Sequence, residues 1–171
     1  MKIKIIKLYS DFNESYLKSN YAPLYHRTNV WYFESIIKDN KLKVGNIKNT
    51  FFKDEKCILS FSRISNLDIS KYKDDLDVII CLDKYKMVKA GYKFIPYDFF
   101  IQSGKEDKPK SNNKRNMEYE FEEVCLENIS NIMDYIISVN FVNNSFYDCY
   151  NTIDILINKE IEIYEDGTRL Y

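Results

Sequence analysis

The sequence predicts an α+β protein, a single domain over residues 1–171 built on a mixed or antiparallel sheet. Three observations predict it. The length of 171 residues fits one domain with a buried core. Short apolar segments of period two recur along the chain, while few stretches carry helical spacing. No internal repeat and no long linker divides the sequence. The composition agrees: 45% of residues are hydrophobic and 16% aromatic, with fifteen Tyr and eleven Phe supplying much of the apolar volume.

Each element follows from local pattern. Residues 3–8 alternate Ile with Lys and read as a first strand, and residues 11–18 as a short polar helix or turn. Pro23 disfavours helix, so 24–28 reads as a strand. Thr28 or Asn29 then caps a helix ending near Asp39 and Asn40, with Trp31, Phe33, Ile36 and Ile37 as its apolar face. Residues 56–62 form the next strand. The nearly continuous apolar run 76–82 predicts a central strand covered on both faces. Asp83 caps a short helix that Gly91 closes, and residues 92–96 give a further short strand. Residues 102–116 hold Gly, Lys, Asp, Pro, Ser and Asn, the composition of an exposed, mobile loop. Beyond it come a strand at 117–126, a turn or helical piece at 129–135 and a strand at 136–142. A helix at 145–158 is expected to bury Phe146, Tyr150, Ile153 and Ile157. A terminal hairpin turns at Asp166-Gly167.

Several function classes are disfavoured. The formal charge of −1 does not suggest a nucleic-acid coat or an anionic-membrane binder, although a local basic groove is compatible with it. The Lys-rich start lacks the apolar core of a signal peptide, and no apolar run approaches membrane-spanning length, so a cytoplasmic location and no membrane partner are expected. Cys57, Cys81, Cys125 and Cys149 are widely spaced, and the first three fall in apolar strand-like segments, as buried free thiols do. One histidine and no paired Cys spacing argue against a metal site. Ser60 and Ser62 have no histidine in register, and no Gly-rich phosphate loop exists.

The chemistry-bearing residues are few. His26, the only histidine, shares strand phase with Leu24 and Thr28, immediately before a helix N-terminus that suits a phosphate. A lone histidine on an apolar strand is more often a satisfied core residue than a catalyst. Arg63 ends an apolar strand face and offers bidentate bonds to phosphate or carboxylate; an ion pair with Asp68 is its structural alternative. In the run Met117-Glu118-Tyr119-Glu120-Phe121-Glu122-Glu123-Val124-Cys125-Leu126, Glu123 is in phase with Tyr119, Phe121 and Cys125 and points inward. A buried carboxylate of this kind requires a cationic partner or a function. A bulge would transfer that position to Glu122. Glu118 and Glu120 read as a solvated edge.

Tyr25-His26-Arg27-Thr28 with its following helix, Ser60-Phe61-Ser62-Arg63, and Phe121-Glu122-Glu123-Val124-Cys125-Leu126 followed by Ile136-Ile137 together resemble the ADP-ribosyltransferase superfamily. The order is most similar to the DarT-like branch and related small phage-encoded proteins. The resemblance implies that NAD is the co-substrate, with cofactor contacts from His26 and Thr28 and a cofactor or transfer role for Arg63. It implies a catalytic role for Glu123, or alternatively Glu122, as the fixed charge that stabilises the oxocarbenium-like state when nicotinamide leaves. The expected activity is transfer of ADP-ribose to a nucleic-acid base or a protein side chain in phage–host conflict. The second expectation is an inert domain of the same fold that binds a host protein or nucleotide as an anti-defence inhibitor. By resemblance to the transferases, the 102–116 loop, with Lys105, Lys108, Lys110, Lys114 and Arg115, is expected to lie beside the pocket and meet a nucleic-acid or acidic protein acceptor.

Overall fold

The computed structural model describes residues 22–46, 57–62, 77–96, 123–142 and 145–171. It shows a mixed α+β architecture. The expected elements at 3–8, 11–18 and 102–116 lie outside the described residues, as do Arg63 and Glu122.

Strand β1 (Leu24–Thr28) leads into helix α1 (Val30–Asp39), and the switch is written in the side chains. Asn29 keeps an extended backbone and its side chain accepts a hydrogen bond from the Tyr32 amide, satisfying a donor that the first helical turn leaves open. Asn40 ends the helix at φ 48°, a left-handed conformation that asparagine tolerates better than most residues, and its side chain accepts from the Met133 amide. Val30, Phe33, Ile36 and Ile37 are the buried face. Trp31, expected among them, is 80% exposed. One residue step is about 100° of helix, so with Val30 turned inward Trp31 turns out.

Among the described residues the remaining strands are β2 (Lys41–Leu42), β3 (Gly45–Asn46), β4 (Cys57–Phe61), β5 (Val78–Leu82), β6 (Ile95–Pro96), β7 (Glu123–Cys125), β8 (Ile129–Ser130), β9 (Ile136–Phe141), β10 (Glu162–Glu165) and β11 (Thr168–Arg169). Helix α2 (Lys84–Lys89) follows β5, capped by Asp83 as its position suggests, with Gly91 at φ 102° just beyond its end. Helix α3 (Tyr150–Asn158) follows a 3-10 turn at Ser145–Cys149. The buried stripe of this last segment is Cys149, Thr152, Ile153 and Leu156, whereas Tyr150 is 73% exposed. The 3-10 turn winds at three residues per turn, which advances the phase and moves the stripe off Tyr150 and Ile157. The strand expected at 92–96 contracts to Ile95–Pro96, and Leu126 falls outside β7 and is exposed.

The sheets run β1-β5-β9-β10-β11, β3-β4-β7-β6 and β2-β8. β5, wholly apolar and wholly buried, lies between β1 and β9, the place that its continuous hydrophobic run requires. β9 and β10 pair in parallel across α3, and the other pairings are antiparallel, so the large sheet is mixed. At the hairpin, Asp166 (φ 46°) and Gly167 (φ 81°) are both left-handed, as a tight two-residue turn demands. The core gathers Leu24, Phe33, Ile80, Leu82, Met87, Val139, Phe141, Leu156 and Ile163, all at most 1% exposed.

Candidate functional site

The site begins where β1 and β4 separate. Tyr25 and Ser62 form a single antiparallel bridge, with Tyr25 N donating to Ser62 O at 2.7 Å and Ser62 N to Tyr25 O at 2.9 Å. Among the described residues the two strands form no continuing ladder beyond this bridge, because β1 follows β5 and β4 follows β7. The gap holds a cleft of about 740 Å³, lined by His26 to Asn29 on β1 and its turn, Leu59 and Ser60 on β4, and α1 residues including Tyr32, Ser35 and Asp39. Lys41, Lys43 and Gly45 complete one wall. The volume is within the range of about 300–1,000 Å³ typical of ligand pockets.

His26 is fixed where the ladder stops. Its Nδ1 lies 3.0 Å from the Ser60 carbonyl oxygen, which only accepts, so Nδ1 carries the proton and Nε2 of the neutral ring is an acceptor. Its ring also packs against Phe61 at 5.6 Å between centroids. Burial disfavours the imidazolium most strongly and lowers the pKa below 6.5, the Ser60 carbonyl acts in the opposite sense, and Arg27 adds repulsion. At neutral pH the cleft therefore presents a neutral, oriented imidazole. Thr28, two residues on and 5% exposed, lines the same cleft.

Glu123 stands elsewhere. It pairs in register with Phe61 across β4 and β7, is 1% exposed, and is not among the residues lining the cleft. Lys84, the first residue of α2, reaches its carboxylate at 2.8 and 3.0 Å, and both side chains are 2% exposed. The Lys84 ammonium also lies 6.0 Å from the Phe94 ring centroid, and Phe94 meets Phe61 edge-on at 5.5 Å. Phe61 thus touches the cleft histidine through one ring contact and shares a ladder rung with the buried carboxylate. The structure brings His26 and Thr28 together and sets Glu123 one side chain deeper.

Arg27, Asn29, Tyr32, Asp39, Lys41 and Lys43 are cleft residues that strand and helix phase alone did not single out. Asp39 and Lys43 form an ion pair on the cleft wall, which holds the Asp39 carboxyl below its usual range. The available signal was Arg27, one of few arginines in a Lys-rich chain. Lys84 carried a signal of another kind: the inward phase of Glu123 required a cation, but strand periodicity could not say which lysine would supply it.

No protein-family description matches the chain, and no curated protein matches it. Among solved structures the chain is similar to Thermus sp. 2.9 DarT in complex with NAD+, with a TM-score of 0.52 and 10% identity over 85% of this chain and 96% of that one. The likeness is one of fold, and a distant one.

Proposed function

We propose that this protein binds NAD in the cleft between β1 and β4 and transfers ADP-ribose to a nucleic-acid base or a protein side chain. The observation that carries the reading is the placement of an oriented neutral His26 and a buried Thr28 at the mouth of α1, in a fold shared with a DarT structure that holds NAD+. The residues suit the cofactor: Nε2 of His26 accepts from a ribose hydroxyl, Tyr32 offers a ring face, and Arg27, Lys41 and Lys43 offer positive charge to a diphosphate. NAD supplies the ADP-ribose group and nicotinamide as leaving group. A carboxylate beside that bond stabilises the positive charge developed as nicotinamide leaves, and Glu123 and Glu122 are the residues proposed for it, with Arg63 as a phosphate or transfer contact. The order of the motifs, which resembles that of DarT-like and related small phage-encoded proteins, is what suggests a setting in phage–host conflict, within the host cytoplasm.

A specific observation favours a second reading, an inert domain of the same fold that binds a host protein or nucleotide. Glu123 is sealed against Lys84 and does not line the cleft. The two readings separate in one experiment. NAD binding is measured by calorimetry, and nicotinamide release is followed with DNA, RNA and protein acceptors, for the wild type and for His26→Ala, Glu122→Gln and Glu123→Gln. The transferase reading expects His26→Ala to weaken binding, and one glutamine variant to bind NAD normally while losing turnover by about 100-fold or more, the scale of a lost electrostatic group. Circular dichroism checks that Glu123→Gln remains folded. NAD binding without turnover in any condition supports the inert reading, and absence of NAD binding overturns the assignment of the cleft.

A further inference from the structure

The cleft histidine and the buried carboxylate stand on different sheets. His26 is on β1 of the five-stranded sheet, and Glu123 is on β7 of the four-stranded one. If a carboxylate on one sheet is to act on a bond held by the other, the distance and angle between them must be fixed. Lys84 makes that connection.

Its place follows from the chain. β5 lies beside β1, with Leu82 opposite Leu24, and α2 begins two residues further on at Lys84. The Asp83 amide donates to the Tyr135 carbonyl at 2.8 Å, the Asp83 side chain accepts from the Lys86 amide at 3.0 Å, and Met87 is fully buried. Lys84 therefore leaves the sheet of His26 on a backbone held at several points. Its ammonium meets both oxygens of Glu123, at 2.8 and 3.0 Å, with each side chain 2% exposed. Contact with both oxygens resists rotation of the carboxylate about its last bond.

The carboxylate in turn adjoins the cleft. Glu123 is opposite Phe61 on the ladder, so the two side chains share a face of the sheet, and Phe61 meets the His26 ring at 5.6 Å. His26, Phe61, Glu123 and Lys84 thus form a continuous row from the cleft to α2. For packing alone, an apolar pair of similar size would serve at least as well as the ion pair. Such a pair would lack a fixed negative charge. Without a cation, a buried carboxylate is held as the neutral acid, which stabilises no positive charge.

We propose that Lys84 is a positioning residue for the transfer reaction, acting through Glu123 to keep its carboxylate ionised and at a set orientation to the His26 side of the cleft. This rests on the transferase reading with Glu123 as the charged group. Lys84 touches no substrate in this role, so its loss slows the bond-breaking step and leaves NAD binding in place.

The test follows nicotinamide release from NAD by the full chain with DNA, RNA and protein acceptors, beside NAD affinity by calorimetry. The variants are Lys84→Met, Lys84→Gln, Glu123→Gln, and Lys84→Met combined with Glu123→Gln, each assayed at a temperature where circular dichroism shows it folded. Lys84→Met should lower kcat by about 10- to 100-fold, the scale of a misplaced group, with the Kd for NAD within about twofold of wild type. Placed on Glu123→Gln it should have no further effect, because the charge it acts through is already gone. A purely structural pair would instead lower the melting temperature and leave kcat of the folded protein unchanged. Lys84→Gln, which keeps a hydrogen-bond donor, decides the matter if Lys84→Met does not fold. Unchanged kcat in the folded lysine variants, an additive loss in the double variant, or full turnover by Glu123→Gln overturns the proposal while the transferase reading stands. A wild type that releases no nicotinamide with any acceptor removes that reading, and the role of Lys84 with it.

Discussion

His26 shows how much one hydrogen bond decides. With Nδ1 engaged by Ser60 and the ring's burial resisting charge, the folded state holds the imidazole neutral below the pH at which an unfolded chain would protonate it. The linkage sign follows. The stabilisation is complete above about pH 6.5 and is lost as pH falls through the lowered folded value, because there the unfolded state binds the proton first. Urea midpoints measured from pH 8 to pH 5 should decline below about 6.5, and His26→Gln should flatten that part of the profile. Lys84 and Glu123 are coupled more tightly. Each is nearly inaccessible, so Lys84→Met takes the lysine cation away from a buried carboxylate and should cost about 3–5 kcal/mol. Lys84→Met combined with Glu123→Leu should recover most of that loss in denaturant titrations, since both charges of the pair are then gone. A double variant as unstable as the single one would mean that the pair shapes the fold by more than charge balance.

At the scale of elements, β1 and α1 form the unit that presents the cleft, and asparagines hold both ends of the helix. Asn29→Ala removes the acceptor for the Tyr32 amide and should destabilise by about 1 kcal/mol, read as a lower thermal midpoint. At Asn40 the left-handed backbone separates two substitutions. Asn40→Gly should be tolerated within about 1 kcal/mol, losing mainly the bond to Met133, while Asn40→Val should cost more because a β-branched residue resists positive φ. The divergence of β4 from β1 has its own cause. Each strand follows a different sheet, and among the described residues the Tyr25–Ser62 bridge and the His26–Ser60 hydrogen bond join them, so their separation is a consequence of two sheets sharing one corner.

At the scale of the whole molecule, the cleft is a space between sheets and not a feature of any one element. A ligand that fills it ties β1, α1 and β4 together and must favour the folded state by mass action. If NAD is that ligand, a concentration of about 100 times its Kd should add about 2.7 kcal/mol, a rise in Tm of roughly 5–10 °C for a chain of this size. His26→Ala should abolish the rise while shifting the ligand-free Tm far less. An unchanged Tm in saturating NAD would remove the cleft as its site. Among the described residues no helix is long and apolar enough to cross a membrane.

The sequence by itself determined the elements whose signals are local. The apolar run of β5, a cap at Thr28 or Asn29, of which the structure uses Asn29, the cap at Asp83, the Asp166-Gly167 turn and the inward phase of Glu123 were legible, because backbone preference and side-chain alternation act over a few residues. Trp31 and Tyr150 were misplaced for the same reason: helical phase shifts with a one-residue change in start or a tighter first turn, and composition does not encode either. Only the tertiary structure decided that Lys84 answers Glu123 and that the cleft is lined by Arg27, Lys41 and Lys43. It also decided that His26 and Ser60 close the corner where two sheets part. Such contacts join residues 34 to 39 positions apart, and the packing of sheet on sheet, which selects them, has no period in the sequence.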